Sequence, residues 1–312
     1  MHIQQAANTQ RSALDRVIEC DRARLAGGVL AAKAPAAEHT RAVPMARDRR
    51  RIHLRSRDDI ATIARAGRVV SAALDAAAEL CKPGITTREI NGVAEDVIRS
   101  AGGRSLFLDY PSYKAGEGFP ACTCISVNEE VVHGVPGPRK LVEGDVVTID
   151  CGAELNGWCA DAARTVTVGE VSWDVARLLA SAQAMLELAI ELAQPGVWWS
   201  RVADRLQQVA DDGGYGVVRE YVGHGIGRQL HEAPQVPAYR MSRRDKDFQL
   251  RPGMVIAVEP MVTLGGPATH VLADGWTVAT SDGRPACHVE HTIAITEHGP
   301  VVLTDPSRKV GG

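Results

Sequence analysis

Residues 146–168 read V-V-T-I-D-C-G-A-E-L-N-G-W-C-A-D-A-A-R-T-V-T-V, with Asn156-Gly157 near the middle. Two apolar, β-rich runs flank that pair. A type I′ hairpin turn needs positive φ at both central residues, and Asn-Gly supplies it at little steric cost. With those two residues as the turn, antiparallel pairing sets Gly152 opposite Asp161. Asp150, two residues from Gly152, shares that face. Two carboxylates then lie diagonally across one side of a hairpin. Buried side by side and alone they repel, and one holds its proton; cations between them remove the conflict. The plainer alternative is that one or both face solvent near a turn.

Helices surround this hairpin in a repeated pattern. Ser56-Arg57-Asp58-Asp59 reads as a capping box before Ile60, Ile63, Gly67, Val70 and Leu74, which fall at helical spacing. Pro83-Gly84 ends that helix. Thr86-Thr87-Arg88-Glu89 opens a second one, carried by Ile90, Val93, Val97 and Ile98 and stopped by Gly102-Gly103. The unit recurs as a long helix over residues 172–193, then Pro195-Gly196, then a helix capped by Ser200 that runs to about Asp211 before Gly213-Gly214. Pro83, Gly84, Ile90, Val97 and Gly102 fall on Pro195, Gly196, Val202, Val209 and Gly214 at one constant offset. That register points to a duplicated helix-pair-plus-sheet unit. Strand patterns follow each pair: residues 124–132, the hairpin, 216–222, 254–259, 276–278 and a final strand over 288–296 that carries Glu290 among alternating apolar residues. The architecture expected is α+β, helices covering a curved, mostly antiparallel sheet.

Composition sets the outer limits. The chain has 312 residues, 45% hydrophobic and 23% charged, with a formal net charge of -3. Such a chain can bury a large core, and it carries no global basic field for nucleic acid. No apolar run is long enough to span a bilayer, and the first residues carry no apolar signal-peptide core. The seven cysteines, Cys20, Cys81, Cys122, Cys124, Cys151, Cys159 and Cys287, are odd in number and scattered, with no C-x-x-C pair. They argue against a disulfide framework and for a reduced, cytoplasmic setting. Residues 1–50 are Ala- and Arg-rich and read as a poorly ordered extension, with Met45 an alternative initiator. The catalytic domain is assigned to residues 51–312. The basic run at residues 46–51 reads as solvated, with a transient contact to an acidic surface such as ribosomal RNA as the functional alternative.

The strand segments and their loops bring five chemically loaded residues into view: Asp150, Asp161, His224, Glu259 and Glu290. Four carboxylates and an imidazole make a hard, oxygen-rich set that suits two divalent first-row ions and lacks the thiolates of closed structural zinc sites.

Several motifs then resemble one family in its own order. They are S-V-N-E-E-V-V-H-G-V-P at 126–136, T-I-D-C-G at 148–152 with A-D-A-A-R-T at 160–165, G-H-G-I-G-R-Q-L-H-E-A-P-Q-V-P at 223–237, L-R-P-G-M-V-I-A-V-E-P-M-V at 250–262 and V-E-H-T-I at 289–293. From about Ile52 to the end the chain resembles the type I methionine aminopeptidases, of the creatinase-like "pita-bread" fold. The resemblance implies that Asp150 chelates one metal, that Asp161 and Glu290 bridge both, and that His224 and Glu259 complete the second ion's shell. It implies a nucleophilic water or hydroxide between two divalent ions (Mn, Fe, Co or Zn), with Glu259 relaying its proton. His231 is expected to stabilise the developing oxyanion. His133 is expected to position the substrate or protonate the leaving amine.

By motif position, Phe119, Cys124, Leu230 and Trp276 are expected to line the slot for a methionine side chain, with Met261 nearby. The chain departs from the family at Gly116-Glu117-Gly118-Phe119, where a pocket-edge aromatic is missing, and at Leu230, where an aromatic is common. Trp198-Trp199 after Pro195-Gly196 is also unusual. The cysteine/histidine zinc region and the P-x-x-P segment of some relatives are absent. The implied reaction removes initiator methionine from nascent chains and peptides whose second residue is small, by a monomer without nucleic-acid or membrane partners. Two other readings are an Xaa-Pro aminopeptidase or prolidase with the same five ligands, and a binding module on the same fold.

Overall fold

The computed structural model describes residues 51–111, 118–242 and 246–308. The expectations for residues 1–50 and for Gly116 and Glu117 lie outside the described residues. By its contacts the chain divides into Met1–Pro44 and Met45–Gly312, and every described residue belongs to the second unit.

Helix α1 (Arg57–Glu79) starts where its cap dictates: Asp59 donates its N–H to the Ser56 hydroxyl, and the Asp59 carboxylate accepts from the Ser56 N–H. Its buried face runs Ile63, Ala66, Val70, Leu74 and Ala77. Gly67 on that face needs to be glycine, because a Cβ there would lie 2.2 Å from the Leu303 carbonyl oxygen. Helix α2 (Thr87–Ser100) opens on the reciprocal Thr86–Glu89 box.

Strands β1 (Arg104–Ser105), β2 (Cys124–Val127), β3 (Glu130–Val132), β4 (Val146–Leu155) and β5 (Trp158–Thr167) follow. The β4–β5 turn is the expected one: Asn156 has φ 54° and Gly157 φ 76°, and Gly152 pairs with Asp161. The 124–132 segment is two short strands, because Asn128 at φ 60° turns the chain between them.

Helices α3 (Trp173–Leu192) and α4 (Trp199–Gly213) repeat the first pair. Here one expectation is corrected. Ser200 lies inside α4 and does not cap it; its N–H is taken by the Asp247 carboxylate at 3.0 Å, a cap supplied from far along the chain. The Trp pair divides its labour. Trp198 is exposed, whereas Trp199 is fully buried, stacks on Phe248 at 5.9 Å and donates its indole N–H to Pro237 O at 2.9 Å.

The remaining strands are β6 (Gly216–Val217), β7 (Gly223–Gly225), β8 (Glu232–Val236), β9 (Val255–Val258), β10 (Met261–Thr263), β11 (Thr269–Val271), β12 (Val278–Thr280), β13 (Ala286–His288), β14 (His291–Thr296) and β15 (Gly299–Val302). The single strand expected over 288–296 is broken. β13 pairs with β10, β14 pairs with β9, and Glu290 sits in the break between them. Nor is it last, since β15 pairs with β14.

All ladders between these strands are antiparallel, in four hydrogen-bonded groups: β1-β4-β2 with β5 on β4, β15-β14-β9-β7-β8, β13-β10-β6, and β11-β12-β3. The core follows the duplication. α1 and α2 pack with β4 and β5 in one apolar cluster, and α3 and α4 pack with β9 and β14 in another. Asp161 and Thr292 join the β5 and β14 halves, and the candidate site lies at this seam. No helix among the described residues is long and apolar enough to cross a membrane.

Candidate metal centre

The hairpin delivers Asp150 from β4 and Asp161 from β5 to one face, with Asp150 opposite Cys124 of β2. Burial and the Asp161 charge together hold the Asp150 carboxyl well above the usual carboxylate range. His224 comes from β7, Glu259 from the residue after β9, and Glu290 from the β13–β14 break, where its N–H donates to Ala163 O at 3.0 Å. One donor atom each from Asp161, His224 and Glu290 lies within 4.8 Å of the other two. His224 Nε2 stands 3.9 Å from Asp161 Oδ2 and 3.7 Å from Glu259 Oε1. All five expected residues therefore meet.

A sixth joins them that the sequence reading missed. His288 Nε2 lies 3.6 Å from Glu259 Oε2 and 3.8 Å from Glu290 Oε2, closing a ring. The signal was its position two residues before Glu290 in an extended stretch.

The charge states show what this ring is built for. Burial, then the neighbouring charges of Asp161 and Glu259, holds Asp150 well above the usual carboxylate range. Burial raises Asp161 to about 7. Burial and then the Asp161 charge raise Glu259, and Glu290 is raised by burial and then by Asp161, Glu259 and Asp150. The imidazoles move the opposite way: burial lowers His224 and His288 to about 3, with His231 and His133 as the respective secondary causes.

The neutral His224 ring has its Nδ1 3.0 Å from Gly225 O. That carbonyl can only accept, so the ring proton sits on Nδ1 and the Nε2 lone pair faces the acids. Asp150 Oδ1, Asp161 Oδ1, Glu290 Oε1 and both nitrogens of His288 are buried without a hydrogen-bond partner in the protein. Buried carboxylate oxygens without a donor are costly, and divalent cations among them would supply the missing partners. The residues present thus fit metal. The set is oxygen and imidazole nitrogen without sulfur, and the six described cysteines are buried and free.

Two further histidines flank the ring. His133 has φ 58° and sets its ring edge-on to Tyr221 at 5.3 Å. Burial and then His231 lower it to about 4. His231 is exposed, with its ring 4.4 Å from that of His224 and its Nδ1 2.7 Å from the Tyr110 hydroxyl. Tyr110 is the other residue the sequence reading missed.

Of the expected pocket residues, Phe119, Cys124 and Leu230 are buried in one cluster, against which Trp276 packs; Phe119 meets Trp276 edge-on at 5.2 Å. Met261 belongs to a different small cluster, with Val131, Val132 and Val218.

The loop bearing Leu230 and His231 is held from outside. Glu232 accepts from the backbone N–H groups of Arg228 and Gln229 and pairs with Arg55, and the Arg228 guanidinium lies 3.8 Å over the Trp158 ring.

The sequence model of metallopeptidase family M24 matches residues 61–297. Methionine aminopeptidase 1 of Bacillus subtilis (strain 168) is 44% identical over 239 residues, which span 77% of this chain and 93% of that protein. Among solved structures, methionine aminopeptidase from Thermotoga maritima is 37% identical with a TM-score of 0.77, covering 82% of this chain and 100% of that one. Prolidase from Pyrococcus furiosus, at 24% identity and a TM-score of 0.64 over 82% of this chain and 66% of that one, shares the fold alone.

Proposed function

The chain belongs to metallopeptidase family M24, among the type I methionine aminopeptidases of the pita-bread fold, and on that premise we propose how its own residues carry the reaction. The reaction is hydrolysis of N-terminal methionine from peptides and nascent proteins with a small second residue. The observation that carries the assignment is the closed ring of three carboxylates and two imidazoles, Asp161, His224, Glu259, His288 and Glu290, with Asp150 on the same hairpin face as Asp161 and the His224 lone pair turned toward the acids.

Asp150, Asp161, His224, Glu259 and Glu290 would hold two divalent ions, drawn from manganese, iron, cobalt or zinc. Asp161 and Glu290 would be shared between the ions, Asp150 would serve one, and His224 with Glu259 would serve the other. Ions bound there supply Lewis acidity, which polarises the scissile carbonyl and acidifies an attacking water. Glu259, set between His224 and His288, accepts the proton that this water gives up. His231, at the exposed side of the ring, donates to the carbonyl oxygen as negative charge grows on it. His133, edge-on to Tyr221, orients the amide or returns a proton to the departing amine. Phe119, Cys124, Leu230 and Trp276 form the wall for the methionine side chain, an apolar and polarizable surface suited to a thioether.

We read residues 51–312 as the catalytic domain, residues 1–50 as an extension outside it, and the enzyme as a monomer of the cytoplasm.

The test is cleavage of Met-Ala-Ser and Ala-Pro-Ala by metal-reconstituted protein and by the D161A variant. Methionine release alone, abolished in D161A, supports the reading. Cleavage of Ala-Pro-Ala in its place assigns the protein to proline-directed chemistry, and cleavage of neither leaves a binding module.

A further inference from the structure

Tyr110 lies just after β1, outside every motif quoted above, yet its backbone is locked into the site. Tyr110 O accepts from the Phe119 N–H at 2.9 Å, and Asp109 N–H donates to Phe119 O at 2.8 Å. Two backbone hydrogen bonds therefore hold Tyr110 beside Phe119, one of the expected pocket residues. The phenol meets His231 edge-on, with ring centroids 5.5 Å apart and its hydroxyl 2.7 Å from Nδ1.

A phenol is a stronger hydrogen-bond donor than a neutral imidazole N–H, and an imidazole nitrogen is a stronger acceptor than a phenolic oxygen. The favoured arrangement is thus O–H to Nδ1. A neutral imidazole has one ring proton, so a donor at Nδ1 leaves that proton on Nε2. His224 shows the opposite setting: a carbonyl acceptor at its Nδ1 puts the proton there and leaves Nε2 a lone pair. Two neighbouring histidines are thereby set by their second partners to opposite tasks, one to accept and one to donate.

We propose that Tyr110 is a positioning residue for the reaction: its hydroxyl fixes His231 as the Nε2–H tautomer and aims that N–H at the substrate's carbonyl oxygen. The proposal rests on the reading of His231 as the oxyanion donor. Tyr110 does not touch the reacting atoms; it acts through His231.

The experiment pairs a spectrum with a double-mutant cycle. Long-range 15N–1H correlation on zinc-loaded full-length protein, with His231 assigned by its loss in H231A, reads the tautomer directly. Nε2–H is expected in the wild type and a mixed tautomer in Y110F, with both proteins showing the same circular dichroism. On Met-Ala-Ser, Y110F is expected to lower kcat on the order of tenfold, the scale of one lost hydrogen bond. KM should stay within about twofold, since the interaction strengthens only in the transition state. The Y110F/H231A double variant should be no slower than H231A. A wild-type Nδ1–H tautomer, or losses that multiply in the double variant, overturns the proposal. Undiminished kcat in H231A removes instead the reading of His231 on which it rests.

Discussion

Asp161 and Thr292 are bonded in both directions: the Asp161 N–H donates to Thr292 Oγ1 at 3.0 Å, and the Thr292 hydroxyl donates to Asp161 O at 2.7 Å. Thr292 is fully buried. This reciprocal pair ties β5 to β14 and fixes where Asp161 stands relative to Glu290. Thr292→Val keeps the shape and leaves two backbone groups of Asp161 without their partner. A loss of about 2 kcal/mol in stability is expected, measurable by urea unfolding of the metal-free protein. Metal affinity should fall as well. Unchanged unfolding and affinity would mean that this seam does not hold the site.

The loop clamp gives a second prediction. The Arg55 and Glu232 side chains are each 10% exposed. Arg55→Met leaves a largely buried carboxylate unpaired, at a cost of about 3 kcal/mol. The R55M/E232Q double variant should be more stable than R55M, because the stranded charge is gone. Both should lose peptidase rate, since Glu232 also gathers the Arg228 and Gln229 N–H groups that shape the loop to His231. Thermal unfolding and Met-Ala-Ser kinetics read the two effects separately.

Acidity makes a third. A carboxylate with a raised folded-state pKa adds stability below its unfolded value and loses it as pH rises through the folded one. Asp150, Asp161, Glu259 and Glu290 are all of this kind, Asp161 at about 7. The lowered histidines, His133, His224, His288 and His291, act in the other direction, an effect already half spent at about pH 6.5, where the unfolded chain's imidazoles are half protonated. Between about pH 6.5 and 8 the raised carboxylates outweigh what remains of that opposing slope. Metal-free protein should therefore lose stability across that window, seen as a falling Tm. Saturating metal should remove the fall and release protons on binding, detectable by calorimetry in buffers of different ionisation enthalpy. A metal-free Tm that rises from pH 6.5 to 8 contradicts the buried-acid account.

A fourth follows from the same electrostatics. Asp161→Asn removes a charge that the ring repels while keeping its volume. Metal-free D161N should melt higher than metal-free wild type at pH 8, by at least about 2 °C, and should gain almost nothing from added metal. A function-for-stability exchange of this sign is not expected at an ordinary surface acid.

Much of this architecture could be read from punctuation. Asn156-Gly157 set the β4–β5 register and put Asp150 and Asp161 on one face, because turn chemistry is local. The Ser56 and Thr86 boxes placed two helix starts for the same reason. What escaped depends on distant partners. The cap of α4 comes from Asp247, and the burial of Trp199 depends on Phe248 and Pro237, none of which local spacing reveals. Glu290 read as a strand residue because apolar alternation continues through 288–296, although the chain changes ladders there. Tyr110 lay outside the reading because a lone tyrosine carries no pattern until the fold puts His231 beside it, and His288 had only its place two residues before Glu290 to mark it until the fold set Glu259 against it. Met261 was expected near the methionine slot and packs in a separate cluster.

The most direct measurement is a calorimetric titration of metal-free protein with manganese or cobalt, wild type beside D161N. The account predicts two ions per wild-type chain, bound with proton release, and at most one weakly held ion in D161N. Equal binding by the two proteins, or none by wild type, contradicts a metal centre built on Asp161 and its ring.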